Sequence, residues 1–93
     1  MPHFKWNREK AKSNLRKHGI NFDEATSIFL DDFSLTLFDE FHSTEEDRFM
    51  DIGRSSNGNI LVVVYTERGS DIRIISCRKA MSDERRSYEK QNT

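Results

Sequence analysis

Ile60-Leu61-Val62-Val63-Val64-Tyr65 is the longest apolar run in the chain. It is far short of the roughly 20 residues a membrane span needs. The run is mostly β-branched, which suits a pleated strand better than a helix. Apolar residues at every alternating position predict a strand covered on both faces, at the centre of a sheet. Ser55-Ser56-Asn57-Gly58-Asn59 precedes it and contains Asn-Gly, a strong hairpin signal. Gly69-Ser70-Asp71 follows as a second turn. Strands are therefore predicted over residues 48–54 and 72–78, and the three together form an antiparallel meander. Strict alternation along the last strand puts Ile72, Ile74, Ser76 and Arg78 on one face, and Arg73, Ile75 and Cys77 on the other.

Further out, Ser34-Leu35-Thr36-Leu37-Phe38 reads as another strand, followed by a polar loop over 39–46. Near the start, Phe4 and Trp6 alternate with Lys5 and Asn7, predicting a short strand over 3–6. Asn7 offers an N-cap for a helix over 8–18, with Ala11 and Leu15 on its apolar side and Gly19 at its end. Asn21 and Glu24 form a capping-box pattern before a second helix over 22–30, with Phe22, Ala25, Ile28 and Phe29 as its stripe. Ser82 caps a final helix that carries Asp83 and Glu84 in its first turn. The expected fold is α+β, a single domain over 1–93. An antiparallel β-sheet packs with two N-terminal helices and one C-terminal helix, and one sheet face stays partly open. Phe22, Ile28, Phe29, Leu61, Val63 and Ile74 are expected to be buried.

With 93 residues, 34% hydrophobic and 33% charged, the chain can build only a thin core. The single Cys77 cannot form an internal disulfide, which fits a cytoplasmic, reducing setting. No apolar stretch of signal-peptide or membrane length is seen. The net charge of -1 hides a strong asymmetry. Residues 1–20 carry six basic and one acidic side chain, residues 21–52 one basic and ten acidic, and residues 53–93 eight basic and five acidic. Basic ends and an acidic middle can fold into one positive and one negative face, and a positive face attracts phosphates.

Arg78 ends a β-branched strand, where a guanidinium is well placed to hold an anion or to pair with an acid. Arg54 lies at the same end of the sheet in the expected register. Arg68 ends the neighbouring strand at the opposite end. His18 sits in the last turn of the first helix, where the dipole favours a cation. It suits either proton transfer or helix capping. The three His show no metal-ligand spacing, no Gly-rich phosphate loop is present, and no cofactor is expected. RNA cleavage is compatible with such a set. The 2′-hydroxyl nucleophile belongs to the substrate, and the protein need only align it, move protons and stabilise charge on phosphorus oxygens.

Phe4-Lys5-Trp6-Asn7, Lys17-His18-Gly19-Ile20-Asn21-Phe22-Asp23-Glu24-Ala25 and Asp47-Arg48-Phe49-Met50-Asp51-Ile52-Gly53 run in order along the chain. Val64-Tyr65-Thr66-Glu67-Arg68, Arg73-Ile74-Ile75-Ser76-Cys77-Arg78-Lys79-Ala80 and Glu84-Arg85-Arg86-Ser87-Tyr88 follow. Together they resemble the BrnT family of bacterial toxins over nearly the whole length. Asn7 stands where that family often has Asp, and Cys77 where Ala is frequent.

The resemblance implies a RelE-like fold and a metal-independent endoribonuclease toxin of a type II toxin–antitoxin system, which inhibits translation. It implies catalytic roles for Arg78, Arg68, His18 and Lys17, and RNA contacts by Arg48, Arg85 and Tyr88, to which Arg54 is added. It implies a BrnA-like ribbon-helix-helix antitoxin as partner and promoter DNA reached only through that antitoxin; because ribbon-helix-helix proteins dimerise, symmetry then predicts a 2:2 heterotetramer. A catalytically inactive toxin-fold protein that only binds its antitoxin or acts as co-repressor is the alternative. A direct DNA-binding regulator is disfavoured, because no helix carries a dense basic stripe.

Overall fold

The computed structural model describes residues 2–91. Strand β1 (His3–Lys5) leads into helix α1 (Arg8–His18) and helix α2 (Phe22–Ser27), which tightens into a 3₁₀ turn over Ile28–Leu30. Strands β2 (Leu35–Phe38), β3 (Arg48–Arg54), β4 (Ile60–Arg68) and β5 (Asp71–Lys79) follow, and helix α3 (Ser82–Gln91) closes the described chain. The five strands form one sheet in the order β1-β5-β4-β3-β2, with the apolar run of β4 at its centre. Among the described residues, no helix is long and apolar enough to cross a membrane.

Several local signals work as the residue types dictate. Asn7 Oδ1 accepts from the Lys10 amide at 3.0 Å, and Gly19 ends α1 at φ 73° with its N–H donating to Leu15 O at 2.9 Å. The second helix stays α-helical only to Ser27. Thr26 Oγ1 and Ser27 Oγ donate to the carbonyls of Asp23 and Glu24, and such local bonds compete with helical continuation. Asn21 caps α2 through the Glu24 amide, but the Glu24 carboxylate does not return to complete the expected box. It reaches across to the β3–β4 turn instead and accepts from Ser55 Oγ at 2.6 Å and Asn59 Nδ2 at 2.8 Å. The last helix also begins differently from expectation. Met81, not Ser82, takes the capping position, and its N–H donates to Glu84 Oε1 at 2.8 Å.

Two features correct the expected sheet. It is mixed, because β1 runs parallel to β5, pairing His3 with Asp71, Phe4 with Ile72 and Lys5 with Arg73. The second is a bulge in β5. Val64 pairs with Ser76 while the next residue, Tyr65, pairs with Ile74, so Ile75 is left over. The extra residue reverses the alternation. Ile74 and Cys77 therefore share one buried cluster, and Arg73, Ser76 and Arg78 share the other face.

The core has two parts. Ile20, Phe22, Ala25, Ile28, Leu61, Val63, Tyr65, Ile74 and Cys77 fill the space between the sheet and α1–α2. Phe29, expected to be fully buried, is half-buried, with its ring 5.2 Å from Phe4 and 5.1 Å from Tyr65. On the other face, Ile52, Ile60, Val62 and Tyr88 form a smaller cluster under α3. At Gly53 a Cβ would lie 3.1 Å from Ile28 Cβ and 3.2 Å from Ser34 Cβ, so glycine lets the 3₁₀ turn rest on β3.

The buried residue of α1 is polar. Leu15 is exposed and Ala11 half-buried, while Asn14 is buried. Its Nδ2 donates to Ile20 O at 3.0 Å and Cys77 O at 2.8 Å, and its Oδ1 accepts from the Cys77 amide at 3.0 Å. β1 pairs β5 only as far as Arg73, and beyond the bulge the Asn14 amide stands in for a strand at the open edge.

Asn14→Ala leaves three buried backbone groups unpaired and should cost about 2–4 kcal/mol of stability, read by urea unfolding. A loss below about 1 kcal/mol would show that water replaces the amide. Glu24 supplies a pH-dependent term. Burial opposes its ionisation, but hydrogen bonds from Ser55, Asn59 and Asn57 outweigh it and hold the pKa below the usual range. A lowered folded pKa stabilises above the unfolded value and is lost as pH falls through the folded one. Glu24→Gln should therefore destabilise at about pH 7, with the deficit shrinking towards about pH 3. An equal deficit at both would contradict the assignment.

Candidate nucleic-acid interface

Directly paired residues project to the same side of a sheet. On the face bearing α3, the register gives four rows. Arg54 pairs with Ile60, Ile52 with Val62 and Arg78, Met50 with Val64 and Ser76, and Arg48 with Thr66 and Arg73. Helix α3 packs on the first two rows through Tyr88, Ile52, Ile60 and Val62. That cluster takes in Met50 of the third row but no residue of the fourth, whose Thr66 is buried between Arg48 and Arg73. The face thus has Arg48 and Arg73 at one end and Arg78 towards the other, with Ser76 between them on β5.

Lys17 and His18 approach from the β5 edge. They are exposed at the end of α1 and, with Lys10 and Ser13, face Ile75 and Ser76 across a groove of about 180 Å³. The bulge residue thus forms the step between the α1 groove and the arginine-bearing face. Lys17, His18, Arg78 and Arg48 are brought to the borders of one surface.

Arg68 lies at the far end of β4, paired with Asp71 at the turn, as the hairpin register requires. Its fork grips Glu46, with Nε to Oε2 at 2.6 Å and Nη2 to Oε1 at 3.0 Å. Arg78 is held in the same way by Glu84, with Nη1 to Oε1 at 2.7 Å and Nη2 to Oε2 at 2.8 Å. The Arg78 hydrogen bonds, acting against burial, hold the Glu84 carboxyl below its usual range. Glu84 therefore caps α3 and anchors Arg78 with one carboxylate.

Arg54 and Tyr88 belong to a different place. Tyr88 is buried, and its hydroxyl donates to Asp31 Oδ2, which also accepts from the Arg54 amide at 2.8 Å. With its ring packed in the smaller core, Tyr88 presents no free face for a base. Arg85 is exposed on α3.

Other perturbed groups sit on the helix-covered face. Burial raises the Asp51 pKa against hydrogen bonds from Tyr65 and Thr36, and Tyr65 donates to Asp51 Oδ1 at 2.8 Å. Burial also pushes the Cys77 thiol up to about 12, so it is an inert core side chain. His42 bonds to Asp39 on the β2–β3 connection. Among the described residues, no three His, Cys, Asp or Glu side chains gather as a metal site would require.

Arg73, Thr66, Ser76 and Glu46 escape the alternation argument. Strict alternation assigns Arg73 to the face of Cys77. The signal was present as a conflict, since it left an arginine on each face of a strand that must bury one face. A bulge between Arg73 and Arg78 removes that conflict.

The structure is a helix-backed α+β sheet with Arg48, Arg73 and Arg78 on one face and Lys17 and His18 along its β5 edge. The sequence profile described as ribonuclease toxin, BrnT, of type II toxin–antitoxin system matches residues 6–84, and the chain belongs to that family. The crystal structure of the Brucella abortus ribonuclease toxin BrnT superposes with a TM-score of 0.66 at 27% identity, covering 88% of this chain and 100% of that one. Comparison with curated protein sequences gives no match. As a toxin of a type II system, the protein has an antitoxin partner.

Proposed function

We propose that this chain is a metal-independent endoribonuclease that binds RNA on its arginine-bearing sheet face and blocks translation by cutting it. The observation that carries the proposal is the gathering of Arg48, Arg73 and Arg78 on that face, with Lys17 and His18 along its β5 edge. Guanidinium forks match phosphate oxygens.

In the proposed reaction the substrate's 2′-oxygen attacks the adjacent phosphorus and the bond to the 5′-oxygen breaks. The products are a cyclic phosphate and a 5′-hydroxyl. The 2′-hydroxyl must lose a proton and the leaving oxygen must gain one. His18 is the proton carrier, since imidazole changes charge near neutrality. Arg78 and Lys17 stabilise charge on the phosphorus oxygens. Arg68 lies farther away and acts on the flanking backbone, with Arg48; Arg85 can extend the contact. Likeness to RelE toxins is part of this reading. So is a BrnA-like ribbon-helix-helix antitoxin in a 2:2 complex, which reads promoter DNA. An acidic antitoxin segment would suit the arginine-bordered face.

One observation favours an antitoxin-binding protein without catalysis: both arms of the Arg78 fork are already taken by Glu84. Purified protein tested on single-stranded RNA in chelator separates the two. Under the ribonuclease reading the chain cleaves, and Arg78→Ala slows cleavage by about 10²–10³-fold. Arg78→Lys keeps the charge without the fork and should restore part of the rate. Absence of cleavage by the unaltered chain would support the non-catalytic reading.

His18→Gln should lower the rate of cleavage of the same RNA while leaving the fold intact. An unchanged rate with lower stability in urea would make His18 a helix-ending side chain only.

A further inference from the structure

The row Arg48–Thr66–Arg73 crosses three strands in direct register, so the three side chains stand together on the sheet face that bears α3, beyond the α3 cluster. Thr66 is only 1% exposed, and its hydroxyl oxygen has no hydrogen-bond partner among the described residues. An orphan buried hydroxyl between two arginines calls for a group that completes it.

One residue beyond Glu67, Arg68 reaches back to the β2–β3 connection and grips Glu46 through both arms of its fork. The Glu46 carboxyl is held below its usual range, first by the hydrogen bond from Arg68 and, less strongly, by the charges of Arg68, Arg73 and Arg48. Three guanidinium groups thus act on one carboxylate. Asp71, paired with Arg68 across β4–β5, is a second acid beside these arginines, and an exposed ion pair such as Arg68–Glu46 is held weakly. A phosphodiester offers the same pair of oxygens to a guanidinium fork.

We propose that Arg48, Arg68 and Arg73 form a phosphodiester-binding subsite for the RNA backbone, and that Glu46 occupies it in the free protein and leaves when RNA binds. Thr66 lies beneath the subsite. The identity of the anion as RNA rests on the ribonuclease reading, but the competition between Glu46 and a phosphodiester does not depend on cleavage. Glu46 lies on the connection between two strands, outside regular structure, so it can withdraw without breaking a strand. No bond is made or broken in the exchange, and one carboxylate gives way to one phosphate.

The test is binding of the full chain to a short single-stranded oligoribonucleotide with 2′-O-methyl groups, which block cleavage, followed by fluorescence anisotropy. Glu46→Gln should tighten binding about 3–10-fold, the range of a displaced weak ion pair. Glu45→Gln makes the same charge change one residue away and should shift affinity by less than about 2-fold. Arg73→Ala should weaken binding about 10-fold and reduce the salt slope by about 0.7, as for one lost phosphate contact to a single strand. In the double variant the gain from Glu46→Gln should fall. Equal effects of the two glutamate changes, or no effect of Glu46→Gln, would overturn the proposal. Loss of affinity in Arg73→Ala without a change of salt slope would also overturn it. Cleavage of unmodified RNA is read separately. A Glu46 effect without cleavage upholds the subsite and refutes the ribonuclease assignment, whereas cleavage without a Glu46 effect does the reverse.

Discussion

The structure depends on one buried amide. Asn14 joins α1 to β5 across 63 positions of sequence by pairing with both the N–H and the C=O of Cys77. β1 is too short to cover the edge of β5 beyond Arg73, and without Asn14 the Cys77 backbone groups would be buried against α1 unpaired. The same side chain holds the carbonyl of Ile20, which enters the main core. One residue thus closes a strand edge, docks a helix and fixes the chain leaving that helix. It also brings Lys17 and His18 alongside Ser76, so the architecture and the candidate chemistry share an anchor.

The bulge at Ile75 has comparable reach. A one-residue slip moves every later side chain to the opposite face. Here the slip lets Ile74 and Cys77 both enter the helix-covered core, while Arg73 and Arg78 both reach the opposite face. Neither arginine is then buried without a partner, and neither core residue is wasted on solvent. The same irregularity satisfies packing and gathers the cations.

Each border of the basic face is answered by an acid. Glu84 caps α3 and holds Arg78, and Glu46 holds Arg68. The two pairs differ in setting. Glu84 is tied into a helix start and is mostly sequestered, whereas Glu46 rides on an irregular connection. In the proposed function the first pair orients an arginine, and the second keeps a site filled with an internal anion. The acidic middle of the sequence thus meets the basic parts at specific forks.

The sequence by itself determined the local elements: the central strand 60–65, the turns at Gly58 and Gly69, the caps at Asn7 and Asn21, and the left-handed Gly19. These depend on neighbours a few residues apart, and the residue types carry the instruction. It also carried the family signature, because that is a linear pattern. Only the tertiary structure decided which side chains share a face. The parallel pairing of β1, the bulge, the burial of Asn14 in place of Leu15 and the redirected Glu24 all arise from groups far apart in sequence. Periodicity scores apolar residues and is blind to a polar side chain that completes another strand's backbone. It also assumes unbroken alternation, which puts Arg73 on the face of Cys77, whereas the bulge turns it to the opposite face.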